Sequence, residues 1–210
     1  LLVRIIPANR SALIDSKKDL PTGPIISTAD GRVSQNRTYQ DLLKNKTDEQ
    51  NFETLISSEL YNVGVDGSKK LFKNTDMYSE QSISPDGNYI MLTTIKKPFS
   101  YIVPLSRFPQ VTKVYDRQGN EIKTVNETPL VEIIPKGFGA VPTGKRAMNW
   151  RSDKPSALYY VEALDKGDPA NKVDYRDEVF VWEAPFTSDP VSLAKTRQRF
   201  SGIIWGNATT

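Results

Sequence analysis

Turn signatures recur along this chain at spacings that confine it to a series of similar, short-stranded units. Ile83-Ser84-Pro85-Asp86-Gly87-Asn88-Tyr89-Ile90-Met91 opens one unit. Asn149-Trp150-Arg151-Ser152-Asp153-Lys154-Pro155-Ser156-Ala157-Leu158-Tyr159-Tyr160 opens a second, and Ile203-Ile204-Trp205-Gly206-Asn207 reads as the start of a third, cut short. The closing halves also correspond: YNVGVDGSKKLF at 61–72 matches KVYDRQGNEIKTV at 113–125. Each unit reads strand, turn, strand, longer link, strand, turn, strand. Four-stranded units in series are the sequence mark of a β-propeller, whereas the same turns without a repeat would describe an irregular β-sandwich. The openers Ile83 and Asn149 are 66 residues apart and Asn149 and Ile204 are 55 apart. Propeller repeats run to ~40–50 residues, so these units carry insertions.

The expected fold class is therefore all-β: a partial β-propeller of about three four-stranded blades. A long loop with short helices is inserted near the N-terminus. Residues 1–210 read as a fragment of one propeller domain, with the insertion at 8–58. Blades are expected at about 59–75, 80–128 and 145–200, with the next starting at 201. The opening LLVRIIP reads as a strand already under way, so the natural N-terminus is expected upstream. Residues 8–38 are polar and punctuated by Asp19-Leu20-Pro21-Thr22-Gly23-Pro24 and Ala29-Asp30-Gly31, a long excursion off the core. Helices are expected around 38–43 and 47–57, the second opened by a Thr47/Gln50 capping box, with Leu42, Leu43, Phe52, Leu55 and Ile56 giving apolar spacing. Asp66-Gly67 reads as a type I′ hairpin turn, and a strand is expected at 202–205. An open arc of blades exposes strand edges, which predicts self-association through them.

The chain contains no histidine and no cysteine. A Ser-His-Asp triad needs an imidazole to take the serine proton near neutral pH. Histidine and thiolate zinc sites, cysteine nucleophiles and disulfides are excluded with it. No G-x-S-x-G elbow occurs. Residues 1–210 thus carry no catalytic centre, metal site or cofactor site that the sequence reveals. The net charge of +3, from 28 basic and 25 acidic residues, points to neither nucleic acid nor an anionic membrane as partner. No apolar run reaches the ~18–20 residues of a membrane span.

Several local patterns invite chemistry and decline it. Gly139-Ala140-Val141-Pro142-Thr143-Gly144-Lys145-Arg146 falls one residue short of a phosphate-binding loop. Arg146 stands where the magnesium-binding hydroxyl belongs, and a strand is expected next where a helix is required. The acid-glycine pairs lack the spacing of a calcium loop and read as plain turns. Sequons at Asn36, Asn45, Asn126 and Asn207 are compositional. Arg107, within Tyr101-Ile102-Val103-Pro104-Leu105-Ser106-Arg107-Phe108-Pro109, and Arg146 and Arg151 around Trp150 are the candidate substrate-binding residues. Arginine beside aromatics suits bidentate carboxylate binding in a partly dry site. The opposing reading makes Trp150 core and pairs these arginines with acids such as Asp153.

Three stretches carry a resemblance. RTYQDLL (37–43), SPDGNYIMLTTIKKPFSYIVPLSRFP (84–109) and GKRAMNWRSDKPSALYYVEALDKGD (144–168) resemble the N-terminal propeller of glutamyl endopeptidase-type serine peptidases of the prolyl oligopeptidase family. PFSYIVPLSRFP followed by KRAMNWRSDKPS is the specific part, and the similarity extends over nearly the whole chain. The resemblance implies a propeller that caps a C-terminal α/β-hydrolase domain, which would carry the catalytic serine, aspartate and histidine. It implies a peptide substrate, cleavage after glutamate by the full-length protein, and export in bacteria (periplasmic or secreted) or a chloroplast location in plants. No catalytic residue carries over, because the region that would hold them lies outside this sequence. Two further readings predict different outcomes. A stand-alone TolB- or WD-like interaction scaffold predicts a reading frame that stops soon after Thr210. An independent hydrolase predicts turnover by this chain alone.

Overall fold

The computed structural model describes residues 1–15 and 39–206. The turns expected at 19–24 and 29–31, and the sequons at Asn36 and Asn207, lie outside the described residues. Three antiparallel sheets follow one another along the chain. Sheet A comprises β1 (Leu2–Ile5), β2 (Ser58–Val63) and β3 (Lys69–Asp76). Sheet B comprises β4 (Tyr78–Ile83), β5 (Tyr89–Ile95), β6 (Gln110–Asp116) and β7 (Glu121–Thr128). Sheet C comprises β8 (Arg146–Trp150), β9 (Ala157–Ala163), β10 (Asp177–Glu183) and β11 (Val191–Thr196). Each sheet is a simple meander with its strands in sequence order. Serial meanders, here one of three strands and two of four, packed face to face are the arrangement of a partial β-propeller.

Period-two alternation explains the packing. In β5, Ile90 and Leu92 point to sheet A and join Leu60 and Tyr78 in one core. Met91 points the other way and joins Val114 and Val125 against Trp150, Leu158, Tyr160, Trp182 and Phe186 of sheet C and the turn that follows β10. A strand buried on both faces reads as a near-continuous apolar run, and YIMLTTI is one.

The turns share one hydrogen bond. Gly67 donates its N–H to Gly64 O at 3.1 Å, Gly87 to Ser84 O at 2.8 Å and Gly119 to Asp116 O at 3.1 Å. All three glycines have positive φ, of 82°, 72° and 89°. Asp66 does not, so the expected type I′ turn is corrected: the loop is a tight turn closed by a left-handed glycine, the pattern of three-residue hairpins. The aspartates within or at the head of these turns act as acceptors. Asp66 Oδ1 accepts from Ser68 N–H at 3.0 Å, and Asp116 Oδ1 accepts from Gln118 and Asn120 N–H at 2.9 and 2.8 Å.

Asp86 also reaches across to the next sheet. Its Oδ1 accepts from Ser84 Oγ and Ser156 Oγ, both at 2.6 Å, and its N–H donates to Pro155 O at 3.1 Å. Burial pushes its carboxyl up, but the two serine hydroxyls and Asn88 outweigh that and hold it below the usual range. Asp86→Ala is expected to cost about 1–2 kcal/mol, the worth of one or two such bonds. A urea midpoint equal to the parent's would show that the bridge contributes nothing.

One α-helix is present among the described residues: α1 (Lys46–Ile56). Its N-cap is Asn45, whose side chain accepts from Asp48 N–H at 2.8 Å while Asp48 Oδ2 accepts from Lys44 N–H at 3.0 Å. The expected Thr47/Gln50 box is therefore displaced by two residues, because Asn45 is the better cap and Thr47 is buried inside the first turn. Phe52 and Ile56 pack on Phe99, Phe108, Ile95 and Met77 beside sheet B. The helix expected around 38–43 does not form over 39–43. A segment that short cannot offset the cost of nucleation, and Tyr39 and Leu43 join the same apolar cluster without it. The strand expected at 202–205 is likewise absent. Trp205 instead packs on Tyr159, ring centroids 5.3 Å apart.

Candidate functional site

The first strands of the three sheets meet around one polar space. A cavity of about 380 Å³ is lined by Arg4 of β1, Glu80 and Gln81 of β4, and Met148 and Asn149 of β8. It adjoins a larger cavity of about 540 Å³ between sheets B and C, which shares Glu80, Thr93 and Asn149 and adds Thr112, Asn126 and Arg146. The polarity follows from strand phase. The face that carries Met91 and Val114 into the core carries Thr93 and Thr112 two residues on. There the apolar packing gives way to a hydroxyl pair at 3.0 Å.

Beside it, sheet C holds a buried ion network. Asp177 at the start of β10 and Asp165 after β9 are 0% and 1% exposed. Arg199 donates to both, at 2.9 Å to Asp177 Oδ1 and 2.6 Å to Asp165 Oδ2. Arg176 donates to Asp165 Oδ2 at 2.8 Å, and Arg146 forms an ion pair with Asp177. Phe200 N–H donates to Asp177 Oδ2 at 2.6 Å, and Arg199 Nε donates to Gly139 O at 2.6 Å. Burial pushes both carboxyls up, but the guanidinium hydrogen bonds outweigh it and hold both below the ordinary carboxylate range. The network ties residues 199–200 and the 137–142 loop to sheet C.

The structure spreads the three candidate arginines over different settings. Arg146 lines the larger cavity while paired with Asp177. Arg151 makes a bidentate pair with Asp153 at 3.0 and 2.7 Å and lies 4.1 Å over the Trp205 ring. Arg107 sits 5.2 Å over the Tyr39 ring, and its buried Nη1 has no hydrogen-bond partner among the described residues. Neither Arg107 nor Arg151 lines the two cavities. Lys145, adjacent to Arg146, donates to Val125 O at 3.0 Å and lies between the Tyr160 and Trp182 rings, at 4.9 and 4.8 Å. Burial lowers its pKa. The glycine loop before it runs directly into β8, with no helix to face a phosphate.

Sequence reasoning missed Asp165, Asp177, Arg176 and Arg199. One signal was present: an aspartate opening the apolar run of β10, where a charge is buried only when paired.

No family model matches the chain. A protein of Oryza sativa subsp. japonica named "Probable glutamyl endopeptidase, chloroplastic" is 38% identical over 208 residues, which is 98% of this chain and 22% of the relative. Its namesake in Arabidopsis thaliana is 37% identical over 213 residues, 100% of this chain and 22% of the relative. The chain thus spans about a fifth of the length of these relatives. Among solved structures, the acylaminoacyl peptidase of Pyrococcus horikoshii matches 71% of this chain and 22% of its own at 17% identity, with a TM-score of 0.36. The chain is related from end to end to one region of the glutamyl endopeptidase-named plant proteins.

Proposed function

We propose that this chain is the blade-bearing, non-catalytic portion of a serine peptidase that cleaves after glutamate. In this reading it gates or recruits peptides for a C-terminal α/β-hydrolase domain. The observation that carries the reading is the 37–38% identity along essentially the whole chain to proteins of that name. The absence of histidine from all 210 residues supports the division of labour, since the triad base must then come from elsewhere. The polar space where β1, β4 and β8 meet is the route by which a peptide would be admitted. The two relatives are chloroplastic by name. A chloroplast location in a plant, or export in a bacterium, follows for the parent protein under the same reading. No helix among the described residues is long and apolar enough to cross a membrane.

Arg107, Arg146 and Arg151 remain the proposed contacts for acidic peptide side chains, and their settings rank them. Arg107 keeps an unpartnered donor, Arg146 faces the cavity, and Arg151 is committed to Asp153. The test uses the full-length protein encoded by the gene. A fluorophosphonate probe should label the full-length protein and leave residues 1–210 unlabelled. Arg146→Ala should lower kcat/KM for a glutamyl peptide by about tenfold, the loss of one charge-assisted contact at the cavity that Arg146 lines. A reading frame that ends soon after Thr210 with no G-x-S-x-G would overturn the peptidase reading and leave the interaction scaffold. Unchanged kcat/KM in all three alanine variants would remove the arginines from the substrate site.

A further inference from the structure

Sheet A has three strands where sheets B and C have four, and its repeat shows which one is missing. The turn between β2 and β3 superimposes in pattern on the turn between β6 and β7. Gly64 N–H donates to Ser68 O as Asp116 N–H donates to Asn120 O, and Gly67 matches Gly119. Counting back from those turns, Asn62 matches Val114. Asn62 pairs with Leu2 and Val114 pairs with Met91, so Leu2 matches Met91 and Arg4 matches Thr93. Both members of the second match line the smaller cavity. β1 therefore stands where β5 stands in sheet B, as a second strand, and among the described residues sheet A has no counterpart of β4.

The edge left open is specific. Leu1 and Val63 exchange both backbone bonds, at 2.9 Å for Leu1 N to Val63 O and 2.8 Å for the return. In an antiparallel ladder the exchange alternates, so Val3 and Ile5 face β2 while Leu2 and Arg4 turn their N–H and C=O groups away from it. β1 has no second strand neighbour among the described residues. Among the described residues a side chain reaches that edge: Gln81 Nε2 of β4 donates to Leu2 O at 3.0 Å. The edge borders the smaller cavity, where an open ladder invites a further strand.

We propose that the free edge of β1 is completed, in the parent protein, by an antiparallel strand formed by the polypeptide directly upstream of Leu1. In sheet B the first strand enters the second through the short turn at 84–88, and a strand directly upstream of Leu1 would enter β1 in the same way. The new strand pairs its backbone with Leu2 and Arg4 and becomes the innermost strand of this blade. It then forms one wall of the smaller cavity, beside β4 and β8. The proposal rests on the reading that the chain is part of a longer protein, as its 22% span of each relative supports.

Amide hydrogen exchange on residues 1–210 and on the full-length protein tests it. The Leu2 and Arg4 amides should exchange at least about 100-fold more slowly in the full-length protein, while Val3 is protected in both. Arg4→Pro, compared with Arg4→Ala to discount the side chain, should lower the melting temperature of the full-length protein and leave that of residues 1–210 unchanged. Equal exchange of Leu2 and Arg4 in the two proteins would overturn the proposal. So would protection in residues 1–210 alone, which at rising concentration would identify a second copy as the occupant. A gene coding nothing upstream of Leu1 overturns it too, yet leaves the peptidase reading intact, because that reading depends on sequence downstream.

Discussion

Replacing Asp177 with alanine is expected to destabilise the fold by about 3–5 kcal/mol, because it strips one partner from a buried ion network and leaves the others uncompensated. The carboxylate is 0% exposed and serves Arg146, Arg199 and the Phe200 N–H. Arg199 keeps Asp165 after the change, but Arg146 loses its only ion-pair partner among the described residues. The measurement is the urea midpoint of residues 1–210, with the slope held constant to show that only stability has moved. A loss below about 1 kcal/mol would mean the network is dispensable. The pH dependence follows from the sign of the shift. The folded-state pKa of Asp177 lies below its unfolded value of about 3.9. Its stabilisation is therefore fully present above that value and is lost as pH falls through the folded pKa. The gap between parent and variant should be flat at neutral pH and close in acid. Asp165, shifted the same way, adds its own loss over the same acid range.

This network also shows where a single sequence stops being informative. The turns were legible because a left-handed backbone position selects glycine, and Gly67, Gly87 and Gly119 mark the hairpins directly. The sheets were legible because β5 and β9 are apolar on both faces, a pattern set by local phase. The helix at 46–56 was visible in its spacing, but its cap was misplaced because Thr47 and Asn45 offer the same chemistry and burial decides between them. Partnerships across the chain were not legible. Arg199 meets Asp165 from 34 residues away and Asp177 from 22. No local property of TRQRF announces that its second arginine is half-buried and its first is exposed. Arg146 was singled out for its setting beside Trp150. Its companion Asp177 lies on the third strand of the sheet, and only the fold brings the two together.

Phe186→Ala is the second change with a large expected effect, about 3–5 kcal/mol for removing a fully buried ring. Phe186 is 0% exposed and lies at the centre of the core between sheets B and C. Its ring meets Trp182 edge-on at 5.8 Å, Tyr89 at 5.8 Å and Trp150 at 6.2 Å. Tyr89 belongs to sheet B and both tryptophans to sheet C, so this ring fastens one blade to the next. Met91 and Met148 belong both to this core and to the lining of the larger cavity, so loss of the ring is expected to loosen the walls of the candidate site. The backbone adds a signature that a plain cavity would lack. Phe186 sits at φ 64°, in the left-handed region that costs a side-chain-bearing residue roughly 1–2 kcal/mol relative to glycine. Ring burial offsets that cost in the parent, and in Phe186→Ala the cost remains while the compensation is gone. Phe186→Gly loses the same ring but not the backbone fit, so it should be the more stable of the two variants, reversing the usual order of alanine over glycine. Equal midpoints for the two would show that the turn relaxes out of the left-handed region once the ring is removed. An alanine variant within 1 kcal/mol of the parent would mean that the blades are held together elsewhere, with the Asp86 bridge to Ser156 as the next contact to remove.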